Sequence, residues 1–208
     1  DLVRSRGLGD VYKRQVQDKG GIADSQEIAD RYRSASLGHV SQDDFWSSLG
    51  VNGLVSEIEE EYLDLVDIRT DVLPFLDRMK EREFEVACLT NAVLPWATYL
   101  RQRFGLEEFI THWIISGEVG ARKPSQAMFE ALRRTSGVSF QNMLLIDSEV
   151  STLEAAKGLG MSTVLLKGAA LIPEGFPHPV INSFAELFRP SDSKPDTEEE
   201  TEISNPEN

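Results

Sequence analysis

A chain of 208 residues with 40% hydrophobic content is long enough to bury one core, as a single domain or a domain carrying a small insertion. Its formal net charge of −14 argues against nucleic acid or an anionic membrane as partner, since both would repel it. No run approaches the roughly 18 apolar residues of a membrane span. The single cysteine, Cys88, excludes an internal disulfide and suits a reducing compartment, so a cytoplasmic location is expected in the absence of a visible signal peptide. Cys88 sits in the apolar run Val86 to Leu89 and reads as a small core residue rather than a reactive thiol.

Residues 1–15, DLVRSRGLGDVYKRQ, carry neither helical nor strand periodicity and resemble translated adapter or vector sequence. On that reading the natural start of the protein is missing. From Asp24 the periodicity is helical, with Ile28 and Tyr32 on one face. Ser41 to Asp44 is a capping sequence ahead of Phe45, Trp46 and Leu49, and Leu54, Ile58 and Tyr62 repeat at intervals of four. Residues 16–67 therefore read as a small helical bundle, with His39 at its surface.

After Arg69 the pattern changes. A helix carrying Val72, Leu76 and Met79 precedes a strand from Phe84 to Leu89, and a helix opened by Pro95 closes near Gly105. A strand from Trp113 to Ser116, a helix beginning at Pro124, a strand from Met143 to Ile146, a helix through Ala155 and Ala156, and a strand from Ser162 to Leu166 follow. A short strand at Val180-Ile181 and a helix from Phe184 to Phe188 end the series. This alternation over residues 68–190 predicts an α/β fold: a mostly parallel sheet with helices on both faces and ligands at the carboxyl ends of the strands. Residues 191–208 hold seven carboxylates against Lys194 alone, and such a segment is expected to stay disordered.

Polar residues fall at three places where that architecture puts chemistry. Thr90 and Asn91 follow the strand ending at Leu89, Lys123 lies in the loop before a later helix, and Asp147 closes the strand ending at Ile146. Thr90 can donate a hydrogen bond to a phosphoryl oxygen, Lys123 can neutralise charge developing there, and Asp147 can hold a hard cation such as Mg²⁺. Taken singly, each has a plainer role: turn residues, a surface lysine, a helix cap. Their convergence on successive strand ends of one chain shifts the balance to function, with phosphate or carboxylate recognition as the chemistry that Lys123 suits.

At these residues the chain resembles the haloacid dehalogenase-like hydrolases. LTNA at Leu89 to Ala92, GARKP at Gly120 to Pro124 and LLIDSEVSTLEAAKGLGM at Leu144 to Met161 are similar to that superfamily's second, third and fourth motifs. The helical segment ending near Val66 is similar to the four-helix cap of its phosphatase-type branch. The resemblance implies a Rossmann-like core with a helical cap, an aspartate nucleophile, Mg²⁺ as cofactor and a small phosphorylated metabolite as substrate. Thr90 and Lys123 would be the catalytic residues present, Thr90, Asn91 and Lys123 the substrate-binding ones, and Asp147 the metal ligand.

Two departures bear on activity. The family's first motif, two aspartates one residue apart at the end of an apolar strand, has no match before Ala23; Asp10 and Asp18 lack both the strand and the second aspartate. Its fourth motif usually pairs two adjacent aspartates, whereas Ser148 follows Asp147 here, and Thr152 stands where asparagine is usual. The missing carboxylates would attack phosphorus and relay the leaving-group proton. A carboxylate approaching a phosphate is repelled by about 4 kcal/mol per unit-charge pair at ~4 Å and an effective dielectric near 20, so cations must reverse that sign.

The leading expectation is thus a phosphomonoester hydrolase lacking its nucleophile strand, with Mg²⁺ binding weak or lost. A non-catalytic ligand- or partner-binding domain is the alternative, and carbon-halogen hydrolysis a third reading that Asp147 disfavours. In the resembling fold the absent strand would lie between those ending at Thr90 and Asp147, a slot that residues 11–17 could fill only poorly.

Overall fold

Residues 3–4, 15–167, 172 and 175–188 are described by the structure, a computed structural model. The acidic tail and most of the foreign-looking N-terminal run lie outside the described residues.

The N-terminal part is helical because its sequence supplies both caps and faces. Helix α1 (Ser25–Ala35) starts where the Asp24 carboxylate accepts from the backbone N–H groups of Gln26 and Glu27. Helix α2 (Gln42–Ser48) starts at Ser41, whose hydroxyl accepts from Asp44 N, and α3 (Val55–Asp64) follows. Their apolar faces close on one cluster that includes Ile28, Phe45, Trp46, Leu49, Ile58 and Tyr62. Val16 joins it, fully buried, from a helical turn at 15–18, so residues 15–17 are not an improvised strand. Gln15 is buried there too, donating to the Ile58 carbonyl at 2.7 Å. A short antiparallel pairing of β1 (Val3–Arg4) with β2 (Asp67–Ile68) went unread because two residues are too few to register as periodicity.

The remainder is α/β. Helix α4 (Val72–Glu81) leads to β3 (Ala87–Thr90), α5 (Leu94–Arg103), β4 (His112–Ile115) and the short α6 (Ser116–Val119). Then come α7 (Gln126–Ser136), β5 (Leu144–Asp147), α8 (Val150–Gly158), β6 (Ser162–Leu166) and β7 (Val180–Ile181). Several boundaries shift: β3 begins at Ala87 rather than Phe84, and β4 and β5 begin one residue from their expected starts. Helix α7 begins not at Pro124 but after Ser125, whose hydroxyl accepts from Ala127 N, and Ser116 opens α6 rather than ending the strand before it.

Side chains alternate across the strands. Leu89, Ile114, Leu145 and Leu165 pack with Met128, Phe129, Leu132 and Leu153 on one face. Cys88, Trp113, Ile146, Val164 and Leu166 pack with Val72, Phe75, Leu76 and Phe184 on the other. Burial pushes the Cys88 thiol pKa up, in keeping with a core role.

All strands of this core run parallel within their ladders, yet the ladders are two. β3 pairs with β4, and β5 with β6 and β6 with β7, while no ladder among the described residues joins β3 to β5. Near the opposite ends of β3 and β5 from the polar rim, Phe84 and Leu144 stand 62% and 53% exposed. The cluster around α7 spans both ladders, so packing rather than backbone pairing holds the halves together.

Candidate active site

The two ladders meet chemically at their carboxyl ends. Lys123 Nζ donates to Asp147 Oδ2 at 2.6 Å, and both side chains are nearly sealed, 7% and 2% exposed. Lys123 arrives from the β4 side and Asp147 from the end of β5, so this ion pair bridges the gap between ladders. The other Asp147 oxygen accepts from Glu149 N at 2.9 Å. Burial alone would raise the Asp147 pKa, but the Lys123 ammonium and these hydrogen bonds outweigh it and hold the carboxyl below its ordinary range.

Thr90 ends β3 opposite Ile115, half-buried. Asn91 follows in a turn fixed from several sides. Ala92 N donates to Ser116 Oγ at 3.0 Å, and the Tyr32 hydroxyl approaches the Asn91 carbonyl at 3.4 Å. The Asn91 side chain engages the backbone of Lys123 twice, accepting from its N–H at 2.8 Å and donating to its carbonyl at 3.2 Å.

Hydrogen bonds therefore join Asn91, Lys123 and Asp147, with Thr90 next to Asn91 at the end of β3, and the structure adds a seam with the helical part that sequence reasoning missed. Ser116 Oγ donates to the Ser36 carbonyl at 2.5 Å, the Arg122 guanidinium bonds Ser36 Oγ, and its charge lies over the Tyr32 ring at 5.8 Å. At Gly38, φ is +75° and an added Cβ would stand 2.5 Å from the Gly117 carbonyl, so the two backbones touch where only glycine fits. Arg122 was visible inside GARKP. Nothing in the sequence marked Ser36 or Tyr32, because both owe their roles to contacts more than 50 residues away.

Asp147 alone does not make a Mg²⁺ site. Such a site needs carboxylates enough to offset lost hydration, and no group of three His, Cys, Asp or Glu side chains able to hold a metal occurs among the described residues. One Asp147 oxygen already faces an ammonium. Nor is any helix among the described residues long and apolar enough to cross a membrane.

The described residues thus form a parallel α/β core with a lysine-aspartate pair at its strand ends, joined to a helical bundle. Residues 14–160 match the family model of haloacid dehalogenase-like hydrolases, and the chain belongs to that family. Among characterised relatives, it is 28% identical over 100 residues to a glyceraldehyde 3-phosphate phosphatase of Methanopyrus kandleri, covering 47% of this chain and 42% of that protein. It is 24% identical over 165 residues to a ribulose-1,5-bisphosphate 5-phosphatase of Halopiger xanaduensis, covering 74% of this chain and 64% of that one. The matched segments thus span less than two thirds of either relative. In fold it is similar to a HAD family enzyme of Bacteroides thetaiotaomicron in complex with magnesium and inorganic phosphate. The TM-score there is 0.70 at 18% identity, over 90% of this chain and 94% of that one. A HAD phosphatase of Thermococcus onnurineus superposes with a TM-score of 0.62 at 20% identity, covering 86% of each chain.

Proposed function

We propose that the rim of Thr90, Lys123 and Asp147 recognises the phosphoryl group of a small phosphorylated metabolite, and that the complete site hydrolyses the phosphomonoester. The observation that carries this reading is the sealed Lys123–Asp147 pair at the ends of strands from two different ladders. The Lys123 ammonium is poorly solvated, so its attraction for a phosphoryl dianion is screened less than at the surface, with the Asp147 carboxylate offsetting part of it. Thr90, at the end of β3, would donate to a second phosphoryl oxygen. Both relatives named above are phosphatases of small phosphate esters, which favours a substrate of that class.

The attacking carboxylate is proposed to come from a further strand that pairs with both β3 and β5. It would end beside Lys123, with its backbone satisfying the two facing edges and its apolar side chains filling out both layers. Attack on phosphorus would form an acyl-phosphate with the leaving alkoxide taking a proton from a second acid, and water would then release phosphate. Any Mg²⁺ requirement attaches to carboxylates beyond Asp147.

The second reading, a domain that binds phosphate without turnover, draws on Ser148 in place of a second acid after Asp147. One experiment separates them. The chain is assayed on p-nitrophenyl phosphate as it stands and with a grafted apolar strand ending in two aspartates one residue apart. The expected result is turnover in the graft alone, abolished by Lys123→Ala. Phosphate binding without turnover in both forms supports the binding module. Lys123-dependent turnover by the ungrafted chain overturns the assignment of the nucleophile to an added strand.

A further inference from the structure

The Asn91 carboxamide treats Lys123 as a neighbouring strand would. Its oxygen accepts from Lys123 N–H and its nitrogen donates to the Lys123 carbonyl. The orientation of the amide is fixed by this pairing, because a backbone N–H requires the oxygen on its side and a carbonyl requires the nitrogen. Aspartate could make the first bond but not the second, and serine or threonine has a single short hydroxyl in place of the separate oxygen and nitrogen that span the N–H and the carbonyl. The turn carrying Asn91 is itself held by Ala92 N on Ser116 Oγ. Lys123 thus has its backbone gripped at one end and its ammonium held by Asp147 at the other.

We propose that Asn91 is a positioning residue that sets where the Lys123 side chain begins, rather than a group that binds substrate itself. This rests on reading the rim as a phosphate site. A lysine stem has four rotatable bonds, so an ammonium can be fixed within hydrogen-bond reach of two anions only if its Cα does not wander. No regular ladder covers Lys123, since β4 ends at Ile115 and α7 begins at Gln126. The amide of Asn91 replaces that ladder at the one residue where placement matters. The side chain of the preceding residue, Arg122, is tied separately to Ser36, so the loop has a second anchor and does not depend on Asn91 to stay folded.

The test uses the full chain and inorganic phosphate. Phosphate affinity is measured by calorimetry for the wild type, Asn91→Ala, Lys123→Met and the double variant, and exchange of the Lys123 backbone amide and ammonium protons is followed by NMR. Asn91→Ala is expected to speed exchange of both sets of Lys123 protons and to weaken phosphate binding about tenfold, the scale of one or two hydrogen bonds lost. In the Lys123→Met background it is expected to have no further effect on phosphate. Asn91→Asp should retain slow exchange of the Lys123 amide but not the full phosphate affinity. An equal loss from Asn91→Ala in both backgrounds would mean that Asn91 touches phosphate directly and would overturn the proposal. If the wild type binds no phosphate, the reading of the site fails, and the positioning role is then decided by the ammonium: unchanged exchange in Asn91→Ala sinks it.

Discussion

The helical part and the α/β core hold together by different means. In the helical part an aromatic knot does most of the packing: Phe45, Trp46, Tyr62 and Trp96 lie ring against ring with centroids 5.0 to 5.7 Å apart. Three of these come from two consecutive helices, Phe45 and Trp46 from α2 and Tyr62 from α3. The fourth, Trp96, reaches in from α5 of the core and donates its indole N–H to Glu59. In the core no backbone pairing among the described residues crosses the gap between the two ladders, and a buried ion pair spans it at the candidate rim. One region is closed by dispersion and hydrophobic burial, which salt and pH barely alter. The other has an electrostatic joint where its chemistry is expected, so stability and function draw on the same two residues.

The sharpest way to break this comparison is Trp96→Ala. It removes the plug that makes the helical bundle part of the core, with an expected cost of about 3–5 kcal/mol and a melting temperature lower by roughly 10 °C. Calorimetry checks it; a second, separate transition for the helical part would further show that Trp96 is what couples the regions. Little change in Tm would mean the knot packs equally well without its fourth ring.

Next in size is the ion pair. Lys123→Met leaves the Asp147 carboxylate buried without its ammonium, and Asp147→Asn leaves the ammonium without its counter-charge. Each is expected to cost about 3 kcal/mol in denaturant unfolding. The combined change of Lys123 to Met and Asp147 to Leu should recover much of that loss while weakening phosphate binding. Additive losses in the pair would deny that the two charges stabilise one another.

The seam gives a smaller effect. Gly38→Ala forces a side chain into a left-handed backbone and against the Gly117 carbonyl, at an expected cost of about 2 kcal/mol. The outcome against this view is a variant whose thermal stability and phosphate affinity both match the wild type.

The smallest effect is in pH. Because the Asp147 pKa is held below its ordinary value in the folded chain, its contribution is fully present above about pH 4. It is lost as pH falls through the lowered folded value, where the unfolded chain binds the proton more readily. The stability difference between wild type and Asp147→Asn should therefore narrow as pH is taken from 5 toward 2 in acid-unfolding titrations. A difference that stays constant over that range would remove Asp147 as the titrating group.

Much of this was legible in the residues themselves. Ser41 and Asp24 announced helix starts, and apolar repeats at intervals of three and four gave the bundle, because capping and periodicity are local. The strand from Ser162 to Leu166 was read to the residue, since a buried parallel strand is a continuous apolar run. Thr90, Asn91, Lys123 and Asp147 were found from their places after apolar runs. Pro124 misled as a helix start: Ser125 is the cap, its hydroxyl accepting from Ala127 N, and the helix begins two residues later than expected, at Gln126. What the sequence determined on its own was thus the set of elements and which polar residues sit at strand ends. Tertiary structure alone decided that the strands fall into two ladders, that Trp96 belongs to the helical knot, and that Asn91 grips Lys123. Strand pairing and side-chain contact join residues far apart in the chain, and periodicity carries no information about which distant partner will fill a hydrogen bond.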